Sequence, residues 1–205
     1  MDVRELDRRA VRGGIEVVER VTEEDLGRAT PCAGWTVADL LAHMTAQHHG
    51  FAAAARGEGA DPRVWEPRPA EAGPVADYVA AAERVLAAFA DDGVLARRFD
   101  LPEFGPGASF RAERAIGFHL IDYVVHGWDV ARAIGAPYAP APDLVAAVVP
   151  IAQAVPDDEN RLAPGAAFRP GLASPADAPP FDQVLALLGR SPAWRPAAAE
   201  GHAVT

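Results

Sequence analysis

Residues 118–133 read FHLIDYVVHGWDVARA, an apolar run that nonetheless holds His119, Asp122, His126 and Asp129. On a helix advancing about 100° per residue, these four fall within an arc of roughly 80°. Asp122 and His126, four apart, then sit one turn above each other, with His119 a turn earlier on the same line. Burying imidazoles and carboxylates is costly unless they pair with each other or hold something. Two readings follow: an Asp–His pair satisfying itself at a helix interface, or a face that binds a metal. A further histidine, His43, sits in the equally apolar VADLLAHM. Two histidines and a carboxylate suit Zn2+ or a similar divalent ion, with a fourth position left for water or substrate.

Facing helices of a bundle are a common place to build such a site, and the sequence supplies the helices. Leu6, Ala10, Ile15, Val18 and Val21 recur at helical spacing, which predicts a first helix over 3–23. Thr36 is an N-cap with Asp39 three residues on, opening a second helix over 37–55. An Ala-rich third follows over 75–91, and a long fourth over 111–134, with no proline from 107 to 136. Shorter helices are expected over 142–155 and 180–189. Strand-like alternation is confined to RRFDL at 97–101. The expectation is an all-α, up-and-down bundle forming one domain over 1–190, with a tail over 191–205.

Composition narrows the chemistry. All 19 basic residues are arginine, so lysine Schiff-base and P-loop lysine mechanisms are excluded. A net charge of −10 with scattered arginines argues against nucleic acid as a partner. No apolar run is long enough to span a membrane, and the charged start MDVRELDRRA lacks the apolar core of a secretory signal. A single cysteine, Cys32, cannot form an intrachain disulfide, which fits a reducing, cytoplasmic setting. Apolar helix faces left over from the bundle would permit a homodimer.

TPCAGWTVADLLAHM, followed further along the chain by DYVVHGWDVARAIG, resembles the DinB-like metal-binding superfamily. It is most similar to the branch of mycothiol-dependent, maleylpyruvate isomerase-like enzymes. FRPGLASPADAPPFDQVLALLGRSPAW resembles the ending of an uncharacterised metal-binding subfamily of that branch. The resemblance implies a DinB-like four-helix bundle with additional short C-terminal helices. It implies a divalent ion, zinc before nickel or iron, held by His43, Asp122 and His126. The isomerases carry Glu where this chain has the shorter Asp122. Activity is implied on a small electrophile with a low-molecular-weight thiol, mycothiol, as cosubstrate, either S-transfer or isomerisation.

Around that trio, His119 is the catalytic candidate, although the roles of fourth ligand and core histidine also stand open. Asp129 is expected to orient a ligand histidine from behind or to bond an arginine. Gln47, one turn beyond His43, is the substrate-binding candidate. Trp128 and Cys32 are expected to be packing residues, His48 and His49 to lie at the surface, and Arg111, Arg114 and Arg132 to be available for a thiol's sugar and carboxyl groups. Two other functions stay open: a metal-dependent hydrolase or natural-product-tailoring enzyme without a thiol, and a non-enzymatic metal-binding or stress protein.

Overall fold

The structure is a computed structural model, and it describes residues 2–163 and 166–196. Six helices are formed: α1 (Val3–Val18), α2 (Val37–Ala55), α3 (Pro74–Phe89), α4 (Ala112–Ile134), α5 (Pro142–Ala154) and α6 (Pro180–Leu187). α1 packs along α4 and α2 along α3, with α2 also against α4, while α5 and α6 pack on each other at the C-terminal side. The first four helices are the expected bundle, and α5 and α6 are the expected short additions. No helix among the described residues is long and apolar enough to cross a membrane.

Local chemistry sets the helix ends. Thr36 Oγ1 accepts from the Asp39 N–H at 3.2 Å while Asp39 Oδ2 accepts from the Thr36 N–H at 2.9 Å, a reciprocal box that starts α2 where the sequence predicts. The same device shortens α1. Asp25 Oδ2 accepts from both the N–H and the hydroxyl of Thr22, which opens a 3-10 turn over Glu23–Asp25, so α1 stops at Val18 and not at 23. α4 ends at Gly135, whose φ of +72° supplies the left-handed residue that closes a helix.

α4 is the central element, buried along most of its length, as its apolar run requires. Leu40, Leu41, Met44, Tyr78, Tyr123 and Val130 join α2, α3 and α4 in one apolar cluster with α1. A second cluster joins α1 and α4 to α5 and α6 and takes in Trp128 and Trp194. The chain around Trp194 thus packs on the bundle, while 197–205, most of the expected tail, lie outside the described residues. The strand-like RRFDL becomes half of a hairpin: β1 (Arg98–Asp100) pairs antiparallel with β2 (Ser109–Arg111), Phe99 opposite Phe110. Its connection, 101–108, includes a 3-10 turn over Pro102–Phe104. Phe104 anchors that turn by stacking on Phe118 of α4 at 4.8 Å between centroids.

Candidate metal centre

α2 and α4 bring His43, Asp122 and His126 together, with one ligand atom from each lying within 4.8 Å of the others. His126 Nε2 is 3.2 Å from Asp122 Oδ1, one helical turn away. The His43 ring stands edge-on to His126, 5.4 Å between centroids. On its other side, Trp35 lies 4.9 Å from His43. Asp122 keeps 24% of its side-chain surface exposed, whereas His126 keeps 6%, so the trio opens to solvent on the Asp122 side.

The donor set fits a divalent ion. An ion bonded tetrahedrally at about 2.0–2.2 Å places its donors about 3.3–3.6 Å apart. The Asp122–His126 pair, at 3.2 Å, is close to that spacing, and all three donors lie within 4.8 Å of one another. His126 Nδ1 faces Asp129 Oδ2 at 2.9 Å, so its proton belongs on Nδ1 and the Nε2 lone pair is left for the ion. Burial, with His126 alongside, pushes His43 down to about 4, so it is neutral and ready to ligate at physiological pH. Burial pushes the Asp122 carboxyl up, but His126 and then His43 more than offset this and hold it below the usual carboxylate range. Burial likewise lowers His126, and Asp122 and Asp129 overcome it, keeping this ring protonated until an ion displaces the proton.

A second group, Cys32, His126 and Asp129, also converges. Cys32 Sγ is 3.2 Å from Asp129 Oδ2 and 3.9 Å from His126 Nδ1. Arg190 already places a positive charge there: its Nη2 is 3.2 Å from Asp129 Oδ2 and 3.4 Å from Cys32 Sγ. A guanidinium in that position repels a second cation, so the trio of His43, Asp122 and His126 is the better metal candidate. Asp129 thus meets both His126 and Arg190.

The other predicted residues are dispersed. The structure does not bring His119 to the trio: it is fully buried, its Nδ1 2.6 Å from Asp7 Oδ1 of α1 and its Nε2 3.1 Å from His48 Nδ1 of α2. His48 is a correction. It is fully buried, not at the surface, and stacks on Tyr123 at 3.9 Å. The reason is that α2 is enclosed by α3 and α4, so the face away from His43 looks into protein. Burial holds His48 far below its ordinary pKa and raises that of Asp7, although His119 opposes the latter. Of the three arginines considered for thiol recognition, Arg114 sits over the Phe110 and Phe118 rings, and Arg132 donates to the Pro192 carbonyl and lies over Trp128. Arg111 lies in β2, opposite Arg98.

Gln47 is half-buried on α2, and near it stands Glu103, a residue sequence reasoning passed over. Glu103 sits in the hairpin connection, in the 3-10 turn over Pro102–Phe104, and keeps exposed surface. Desolvation by the surrounding protein, with Asp122 nearby, raises it to about 7, against the opposing pull of Gln47. Its neighbour Phe104 is the one signal that could have located it, an aromatic set between prolines and glycines in a loop. Arg190 was equally hidden, because nothing near it in sequence points to Asp129.

Comparison with known proteins places this arrangement. A structure described as the mycothiol-dependent maleylpyruvate isomerase matches with a TM-score of 0.51 at 12% identity, covering 73% of this chain and 68% of that one. At that identity the match speaks for the DinB-like all-α fold alone. Two uncharacterised proteins of Mycobacterium tuberculosis, from strains ATCC 25618 / H37Rv and CDC 1551 / Oshkosh, are each 32% identical over 177 residues, 85% of this chain and 90% of theirs. The family model described as the mycothiol maleylpyruvate isomerase N-terminal domain matches residues 8–131, a span that includes His43, Asp122, His126 and Asp129. By that match, the chain belongs to the mycothiol maleylpyruvate isomerase N-terminal domain family.

Proposed function

We propose that this chain is a cytoplasmic, metal-dependent enzyme that couples a mycothiol-type thiol to a small electrophile, by S-transfer or by addition and elimination that isomerises it. The observation that carries this reading is the convergence of His43, Asp122 and His126 on one solvent-accessible point, in a family named for a thiol-dependent isomerase. Zinc is the expected ion, with nickel or iron next; when bound, it favours loss of a thiol's proton near neutral pH and polarises a substrate oxygen.

The chain's own groups supply the rest. Asp129 keeps the His126 Nδ1 proton in place, so Nε2 faces the ligand position. We place on Glu103 of the hairpin connection, whose carboxyl senses Asp122, the proton transfer for which His119 was the sequence candidate. A carboxyl poised at about 7 accepts a thiol's proton and returns it to the product. Gln47, one turn beyond His43 on α2, is the residue to which we assign substrate binding. Trp35 flanks the trio on the His43 side, 4.9 Å between ring centroids.

The same carboxylate would serve a hydrolase or natural-product-tailoring enzyme that works without a thiol. The engagement of Arg132 with the Pro192 carbonyl and the Trp128 ring favours this second reading, because it ties down one cation that a sugar- and carboxyl-bearing thiol would use. Metal content and thiol binding, measured together on the wild type and on His126→Ala, separate the two. Stoichiometric metal that is lost in the variant supports the centre. New sulfur-to-metal bands when mycothiol is added to the cobalt-loaded protein support the transferase or isomerase. Metal without such bands moves the assignment to hydrolysis or tailoring, and no metal after reconstitution sinks both.

A further inference from the structure

The part of the chain beyond the family-matched span reaches the back of the metal centre. α6 ends at Leu187, and Gly189 follows with φ +76°. A Cβ on Gly189 would lie 2.6 Å from the Arg169 carbonyl oxygen, so this turn is restricted to glycine both by its dihedral and by its space. The turn sends Arg190 inward. Its N–H donates to the Leu185 carbonyl at 2.8 Å and its Nη1 to the Leu188 carbonyl at 2.9 Å, and its guanidinium lies over the Phe168 ring. Nε and Nη2 then both reach Asp129 Oδ2, at 3.4 and 3.2 Å. Arg190 and Asp129 are both buried. Asp129 Oδ2 is also the atom that receives His126 Nδ1.

Resting on the metal-binding reading above, we infer that Arg190 is a positioning residue of the metal centre, so that docking of the α6 segment and loading of the ion are reciprocally coupled. Without the guanidinium, the Asp129 carboxylate would lose two of its donors and be free to turn away from His126. Arg190 fixes Asp129 in place through Nε and Nη2, and Asp129 then fixes the ring orientation with which His126 would meet the ion. Coupling of this kind is symmetrical: if docked α6 strengthens ion binding, a bound ion tightens α6 by the same factor. Partners that orient a ligand from behind typically carry about 10- to 100-fold in metal affinity.

The test measures cobalt affinity by competition with a chromophoric chelator, on wild type, Arg190→Gln, Arg190→Lys, Asp129→Asn and the double variant Arg190→Gln/Asp129→Asn. Circular dichroism checks that each is folded. Arg190→Gln should bind at least tenfold more weakly, Arg190→Lys should recover part of that loss, and the double variant should be no worse than the poorer single one. Hydrogen exchange across 180–190 should slow on ion loading in the wild type and not in Arg190→Gln, a response that a merely structural arginine would not produce. Should Arg190→Gln fail to fold, the exchange response of the wild type and the affinity of Arg190→Lys decide. Wild-type affinity in the folded arginine variants, fully additive losses, or no ion-dependent exchange in α6 overturns the inference while leaving the metal centre intact. A wild type that binds no metal removes both.

Discussion

The indole of Trp35 lies 4.9 Å from the imidazole of His43, their planes tilted by 57°. Because a ring this close senses both the charge and the orientation of the imidazole, Trp35 should report on ion binding by its fluorescence. Titration of metal-free protein with zinc is expected to change tryptophan emission saturably, and Trp35→Phe should abolish that change although Trp65, Trp128 and Trp194 remain. A full response in Trp35→Phe would place the ion elsewhere.

Glu103 gives a signed pH dependence. Its folded pKa is raised from the ordinary 4.5 to about 7, so its contribution favours the folded state below about pH 4.5 and is lost as the pH rises through about 7. In metal-free protein, Glu103→Gln should therefore melt higher than wild type at pH 8 and indistinguishably at pH 4. Under the proposed function, thiol capture by loaded wild type should rise through pH 7, and Glu103→Gln should lack that rise. Superimposable melting curves at both pH values would show that Glu103 is simply solvated.

His119 separates core from chemistry. With Nδ1 on Asp7 and Nε2 on His48, and no exposed surface, it joins α1, α2 and α4 in one buried chain. Asp7 Oδ2 and His48 Nε2 have no further partner among the described residues, so the chain has little spare hydrogen bonding to absorb a loss. His119→Ala should cost about 2–4 kcal/mol, since it opens a cavity and leaves a buried carboxylate unpaired, yet the folded variant should retain stoichiometric metal. A variant with wild-type melting but without thiol chemistry would return His119 to a catalytic role.

Thr36→Ala should lower stability by about 1 kcal/mol, a shift of roughly 2–4 °C in Tm for a chain of this size. Because the box fixes the first turn of α2 and His43 lies two turns on, zinc affinity should fall only slightly. A large loss of metal in Thr36→Ala would mean that the helix start, and not just the ligand, is part of the centre.

Much of this was legible in the sequence, because helical periodicity places residues relative to one another on the same element. The stripe on α4 put Asp122 over His126 and Asp129 behind them, and the Thr36–Asp39 box fixed where α2 begins. His43 stood out by its apolar setting, but its assignment to one ligand set with Asp122 and His126 depended on the resemblance, since periodicity alone does not say which helices face each other. Periodicity also misled at His48: a residue turned away from His43 was expected in water, but α2 is enclosed and both faces meet protein. Glu103 and Arg190 were out of reach for a different reason. Each is delivered by a turn, one held by Phe104 on Phe118 and one by Gly189, and the direction of a turn is fixed by tertiary contacts that a local pattern does not encode.

The two histidine pairs between α2 and α4 sit at different heights, His43 beside His126 and His48 beside His119, the order expected of antiparallel neighbours. One pair is joined permanently through the interior, and the other is left to be bridged from outside. Removal of the ion therefore does not let the helices slide, because the inner pair keeps their registration. Under the proposed function, loading of an ion should therefore be a docking event and not a refolding one. A preparation stripped with chelator should accept zinc again within mixing time, with no change in helical content, unlike the small zinc domains that collapse without their metal.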